Sequence, residues 1–284
     1  MNVVAAAYNE LVFGGHLLAL GTASMAATVA FVLGMAPPWN LLLMAYLFTL
    51  GAYTINRISD FEQDRISHPA RTSYLEGRRK YLAGVTAACF LLGYALALLR
   101  NFVFFTALLL PLVLAVAYSF GWGRGGKAGI SRLKEGLLLK NIAISFGWSL
   151  VPVLVGLFYL ELPLAILALS PFIFLRIMVN TIFFDQRDVD ADKAFGVKTL
   201  PARVGMAGSS RIMDVLDAVS AVYILGLAAA GVVPLFVGGL AIFTPYSFAY
   251  RRLAGVGRHK DLARDLVADG EYLLWGVVTY IGHI

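Results

Sequence analysis

From Leu11 to Ile55 the chain carries no Asp, Glu, Lys or Arg. That stretch decides the solvent. A water-soluble fold cannot bury so long a continuous apolar run, whereas a bilayer asks for about 20 apolar residues per crossing. Composition agrees along the whole length: of 284 residues 60% are hydrophobic and 14% charged, with a mean hydropathy of +0.77. Soluble domains are roughly 25% charged. An all-α membrane protein is expected. No cleavable signal peptide is expected, because neither a basic amino-terminal region nor a small-residue cleavage site stands out. The single cysteine, Cys89, lies in an apolar segment and excludes an intrachain disulfide.

The apolar segments predict about nine spans, near 12–35, 39–55, 81–99, 102–120, 139–160, 162–183, 212–230, 232–250 and 267–284. Pro37-Pro38 divides the first apolar block, and Arg100-Asn101 and Glu161-Leu162-Pro163 make two short turns. Residues 56–80, 124–140, 187–211 and 251–264 hold six, five, five and five Lys or Arg, leaving only Arg100 and Arg176 elsewhere. If these four loops are cytoplasmic, an even number of crossings separates each from the next. Ile212–Tyr250 must then cross twice, with the amino terminus inside and the carboxy terminus outside. The expected architecture is a single domain, 1–284, bundled around a central cavity. Its two halves, about 1–120 and 139–250, repeat loosely, and a ninth helix follows. The net charge of +6 sits in short loops beside spans, which leaves no case for nucleic acid. No obligate protein partner is indicated.

Two acidic runs interrupt this pattern. Asn56-Arg57-Ile58-Ser59-Asp60-Phe61-Glu62-Gln63-Asp64 follows the second span, and Asp185-Gln186-Arg187-Asp188-Val189-Asp190-Ala191-Asp192 follows the sixth. On a helix Asn56, Asp60 and Asp64 fall within an arc of roughly 80°, and Asp185, Asp188 and Asp192 within roughly 60°. Glu62 and Asp190 point away. Stacked carboxylates repel one another unless a cation sits among them. Mg²⁺ takes oxygen ligands, commonly one or two carboxylates with waters and substrate phosphates. The six residues Asn56, Asp60, Asp64, Asp185, Asp188 and Asp192 are therefore candidate metal ligands, for two Mg²⁺ ions facing a diphosphate. The plain alternative is a set of solvated helix-end acids.

Asn56-x-x-x-Asp60-x-x-x-Asp64 with His68-Pro69-x-Arg71, together with Asp185-x-x-Asp188-x-x-x-Asp192 and Gly196-Val197-Lys198-Thr199-Leu200-Pro201, resembles the UbiA superfamily of intramembrane prenyltransferases. The resemblance spans essentially the whole chain. It implies Mg²⁺-dependent transfer of an isoprenyl group from a prenyl diphosphate to a membrane-accessible acceptor, by ionisation to an allylic cation. The acceptor classes it implies include aromatic, quinol-precursor and prenyl-glycerol-phosphate types. It also implies an active site toward the cytoplasm of a prokaryotic cell membrane. This chain departs from the pattern at Arg57, where many members have Asp, and at Thr72, where many have Pro. A Gly- and Arg-rich insertion, Gly121–Ile130, separates Tyr118 from Leu133-Lys134.

Basic residues near the motifs can meet a diphosphate: Arg71, Lys134, Lys140, Lys198 and Arg203, with Lys127 or Lys140 able to stand in for Lys134. Arg176, one turn before Asn180, is expected to line the cavity rather than snorkel to the surface. Asn141 is either a helix cap or an acceptor contact. His68 either assists proton removal or simply precedes Pro69. Tyr53, Tyr118, Phe183 and Phe184 lie at the depth where an aromatic face can stabilise a cation. Tyr118 joins Asp60, Asp64, Asp185, Asp188 and Asp192 as an expected catalytic residue. Arg71, Lys134, Lys140, Asn141, Arg176, Asn180, Lys198 and Asn56 are expected to bind substrate. A membrane terpene cyclase would show the same acidic runs. A transporter with midplane acids would not, because here both runs lie at helix ends.

Overall fold

The computed structural model describes residues 3–119, 138–194, 198–254 and 263–284. Among these there is no strand. The helices are α1 Val3–Tyr8, α2 His16–Val32, α3 Trp39–Ser59, α4 Phe61–Ser67, α5 Pro69–Leu75, α6 Arg79–Arg100, α7 Phe102–Ala107 and α8 Leu109–Ser119. They continue as α9 Leu139–Ser149, α10 Val151–Tyr159, α11 Leu164–Ala194, α12 Leu200–Ala229, α13 Phe243–Ala254 and α14 Ala268–His283. A π-helical turn, Asn9–Phe13, precedes α2, a 3₁₀ segment, Leu235–Ile242, precedes α13, and a second π-turn, Ala263–Val267, precedes α14.

The first expected span, 12–35, is corrected. Gly15 takes φ 87°, a left-handed conformation that glycine adopts without strain, and its bare Cα also accommodates the Tyr53 ring. The chain therefore bends by 58° between Val3–Phe13 and α2. Beyond α2 the Gly34 and Met35 amides return to the Phe31 and Ala30 carbonyls, closing the helix end before Pro37-Pro38. At the start of α7 the Asn101 side chain accepts from the Phe104 amide at 2.7 Å, and its amide group donates to Leu157 O at 3.2 Å. Arg100 donates to Phe158 O at 3.0 Å and stacks on the Phe158 ring. A lone charge between two spans is thus tied to the far end of α10.

The long apolar block does double back. α12 ends before Gly231, and the return limb reaches it again through Thr244, Ser247 and Arg251, which bond Asp217 or Asp214. The limb is made of an 8-residue 3₁₀ segment and a 12-residue helix, and α14 has 16 residues. Among the described residues, six helices are long and apolar enough to cross a membrane, or seven with the bent amino-terminal pair. The nine spans read from the sequence exceed that number because the last segments are short or not single α-helices.

Packing closes a ring: α2 on α3, α3 on α8, α8 on α9, α9 on α11, α11 on α12, the 3₁₀ segment on α12 and α14, and α14 back on α2. α11 is the most enclosed span, with 61% of its apolar window buried against 17–39% in the others. The α2–α14 seam is the tightest closure. Ser24 Oγ donates to Leu273 O at 2.7 Å and accepts from the Gly276 amide at 2.9 Å. A Cβ at Gly276 would collide with Ser24 Oγ. Gly276→Ala is expected to cost about 1–3 kcal/mol, as overpacking does. Thermal unfolding in detergent tests this, and an unchanged midpoint would show that the seam is loose.

Candidate active site

The ring encloses a cavity of about 430 Å³ with two chemically distinct ends. One end is apolar, lined by residues such as Leu18, Ala26, Leu41, Phe104, Leu108, Val155 and Ile177. At the other end stand Asp60, Asp64, Asp185, Asp188, Asp265 and Asp269, interleaved with Arg57, Arg71, Lys140 and Arg187. Asn56, His68, Tyr118 and Asn180 complete that end.

The first acidic run is not one helix. α3 stops at Ser59, Asp60 takes φ −101° and ψ 9°, and α4 begins at Phe61. The expected single column is corrected to two helices joined at Asp60. The Asp60 and Asp64 amides still bond the carbonyls four residues back, so the column keeps its face through the bend. Asp64 receives Arg71 Nη2 at 2.8 Å and Arg57 Nη1 at 3.3 Å. Burial would raise the Asp64 carboxyl, but the two guanidinium groups outweigh it and hold the acid below its usual range. Arg57 also lies over the Tyr53 ring, 4.1 Å from its centroid, and donates to the Tyr53 hydroxyl.

The second run lies on the unbroken α11. Asp185 is held by Lys140 Nζ at 2.7 Å and Asn141 Nδ2 at 2.8 Å, so two residues expected to bind substrate are engaged with a carboxylate of the second run, and Asn141 lies outside the cavity lining. Asp188 accepts from Arg187 Nε at 3.0 Å and meets His68 Nε2 at 3.3 Å, which bridges the two runs. Burial drives the His68 imidazole down to about 4, with Arg71 and Arg187 adding to the effect and Asp188 opposing it. His68 is therefore neutral near pH 7, with Nε2–H directed at Asp188. Asp192 is fully buried behind Lys140, 3.8 Å from its Nζ, and does not line the cavity. The off-face acids Glu62 and Asp190 are exposed, as their helical phase requires.

Other expected site residues are placed elsewhere. Lys198 and Arg203 are exposed and outside the lining. Lys134, the insertion and Gly196-Val197 lie outside the described residues. Tyr53, Tyr118 and Phe184 line the cavity, whereas Phe183 packs against Tyr250. Arg176 is the clear correction. Its guanidinium pairs with Asp217 of α12 and donates to Glu271 of α14 at 2.7 Å and to Phe243 O at 2.9 Å. Two buried acids and a carbonyl consume its donors, so it ties four segments together outside the cavity. Arg57, Arg187, Asp265 and Asp269 line the cavity without having been singled out. Arg57 and Arg187 sat inside the two runs, next to the acids they face. Asp265 and Asp269 belong to a distant segment with no spacing signal.

The donor set fits a hard divalent cation in kind. Asn56 Oδ1 is buried with no hydrogen-bond partner, and the lining carries six carboxylates against four Lys or Arg. Among the described residues no three His, Cys, Asp or Glu side chains gather tightly enough to hold a metal alone. Mg²⁺ does not need that, since it keeps waters and substrate phosphates in its shell.

A ring of apolar helices around a charged, half-apolar cavity defines an intramembrane enzyme. The UbiA prenyltransferase family matches residues 12–267. The chain belongs to that family and is a prenyltransferase. A digeranylgeranylglyceryl phosphate synthase of Methanoculleus marisnigri is 29% identical over 266 residues, covering 86% of this chain and 85% of its own length. Two solved structures share the fold. A UbiA homologue of Aeropyrum pernix, in its apo form, has a TM-score of 0.67 at 16% identity, covering 94% of this chain and 96% of its own. A UbiA homologue of Archaeoglobus fulgidus bound to DMAPP and Mg²⁺ has a TM-score of 0.63 at 18% identity, covering 94% and 98%.

Arg176→Ala strands Glu271 in the interior, while Asp217 keeps Arg251 and Ser247, and is expected to cost about 3–5 kcal/mol. Thermal unfolding should fall well below wild type, while KM for the prenyl diphosphate stays unchanged in the folded fraction. A raised KM at an unchanged midpoint would return Arg176 to the cavity.

Proposed function

We propose that this enzyme transfers a prenyl group from its diphosphate to a hydroxyl of a glycerol-phosphate-type lipid acceptor, with Mg²⁺ as cofactor. One observation carries the reading: a single cavity joins an acid-and-base lined end to an apolar end, matching a diphosphate on an isoprenoid tail. The likeness to a digeranylgeranylglyceryl phosphate synthase supports the acceptor class. The A. fulgidus homologue bound to DMAPP and Mg²⁺ supports the donor and the metal.

Asn56, Asp60, Asp64, Asp185 and Asp188 would hold the metal, two ions in this reading, with Asp192 acting through Lys140. Bound Mg²⁺ neutralises charge developing on the diphosphate as a Lewis acid. Arg71, Arg57, Lys140 and Arg187 stand where they can bind the remaining phosphate oxygens. Their pairing with carboxylates would hold those carboxylates in place until substrate arrives. Asn141 fixes the Asp185 carboxylate, and His68 fixes Asp188. The apolar walls exclude water from the carbocation, and Tyr118 and Tyr53 offer it aromatic faces. In this reading the chain is one domain of two loosely repeated halves that crosses the membrane nine times. Its amino terminus and active-site opening face the cytoplasm of a prokaryotic cell.

Asp60→Ala and Asp188→Ala are expected to lower Mg²⁺-dependent turnover by roughly 10²-fold or more. Glu62→Ala and Asp190→Ala, at exposed sites, should stay within about twofold. Equal losses in all four would sink the two-face geometry. Incubating membranes with labelled geranylgeranyl diphosphate and a panel of aromatic and glycerol-phosphate acceptors tests the reaction itself. A prenylated glycerol phosphate is expected, and a cyclised hydrocarbon formed without acceptor would favour a cyclase.

A further inference from the structure

Two cavity carboxylates are not used by the metal and diphosphate chemistry, Asp265, which pairs with Arg187, and Asp269. Asp269 lies in the first turn of α14 and lines the same cavity. Among the described residues its hydrogen bond is a long one, 3.5 Å from Asn180 Nδ2, and no ion pair involves it. Every other acid at that end has a shorter tie. Asp64 is held by two arginines, Asp185 by Lys140, and Asp188 and Asp265 by Arg187. Asp60 accepts from Ser59 at 3.1 Å.

Depth distinguishes it further. Asn180 precedes Asp185 by five residues on α11, roughly 7.5 Å of helix rise toward the apolar end. One turn beyond Asp269, Tyr272 packs on Trp148 with ring centroids 5.7 Å apart, and both rings line the cavity. The Asp269 carboxylate thus sits between the layer that would hold the diphosphate and an aromatic pair able to face a carbocation. That is the level of the carbon that changes partners. The charged and titratable groups facing Asp269 are Arg187 of α11, Arg57 of α3, Asp265 of the preceding π-turn and Tyr272 of its own helix. Neither arginine is close enough to pair with it.

We propose that Asp269 is the general base of the transfer, oriented by Asn180, and that it takes the proton of the acceptor hydroxyl. This rests on the hydroxyl-acceptor reading above. The C1–O bond to diphosphate breaks with its electron pair leaving on the diphosphate. The acceptor oxygen then bonds C1, and its proton passes to the Asp269 carboxylate. A positioned base of this kind contributes about 10²–10⁴-fold to turnover.

The test uses the full chain in detergent or nanodiscs, with geranylgeranyl diphosphate and geranylgeranylglyceryl phosphate as probes. Asp269→Asn should keep KM for the prenyl diphosphate within about twofold and lose roughly 10²–10⁴-fold in kcat. Its residual rate should lack the acidic limb of the wild-type pH profile. Diphosphate release should outrun product formation, because a cation not captured by the acceptor oxygen is captured by water, giving the prenyl alcohol and a proton. Asp269→Glu, which keeps the carboxylate, should recover part of the transfer. Retention of wild-type kcat by Asp269→Asn would overturn the proposal. So would loss of prenyl diphosphate binding in both variants, which would make the residue structural. A wild type that prenylates no hydroxyl acceptor would instead overturn the function on which the proposal rests.

Discussion

A carboxylate beside a bilayer survives only when positive charge meets it, and here that charge comes from other helices. Asp64 on α4 draws Arg57 from α3 and Arg71 from α5, and Asp185 on α11 draws Lys140 from α9. His68 then carries the first run onto Asp188 of the second. These contacts are simultaneously the packing that closes the polar end of the ring and the arrangement that leaves basic groups free to exchange partners with an incoming anion. Replacing any one of the acids by an apolar residue would therefore disturb both closure and chemistry.

The opposite seam uses apolar and small residues where the mouth uses charge. Ser24 and Gly276 bring α2 and α14 within backbone reach, and Phe172 and Trp275 pack below them. Between these two regimes sits the Arg176 trio with Asp217 and Glu271, which ties α11, α12 and α14 at one point. Its desolvation makes it poor as a source of net stability, although losing one partner leaves a buried charge uncompensated.

The acidic runs were legible because a helix repeats every 3.6 residues, so spacing alone told cavity-facing Asp60 and Asp188 from exposed Glu62 and Asp190. The apolar segments likewise announced a helical membrane bundle, and the positive loops announced the hairpin at Gly231. Partnership between distant helices was not legible. Arg176 showed that it needed a partner, and Asp217 and Glu271 are the acids that reach furthest into two other apolar segments, just after Asp214 and Asp269. Adding the three costly charges together would have paired them and kept Arg176 out of the cavity. Asp269 carried no local signal, since its neighbours in space, Asn180 and Arg187, lie far away in the chain. The break at Asp60 also escaped, because the amide-to-carbonyl bonds four residues back continue through it.

That break divides the labour between the two walls of the cavity. The α11 wall is a single 31-residue helix, so its acids share one backbone with the embedded span. The facing wall is jointed: Asn56 stays with the embedded α3, while Asp64 rides on a seven-residue helix attached through the backbone of Asp60. The jointed wall is nonetheless braced, because Arg57 of α3 and Arg71 of α5 both hold Asp64 and His68 reaches Asp188 on the other wall. One row of acids is thus carried by a single helix, and the other is spread over two helices that charge pairs lock to it.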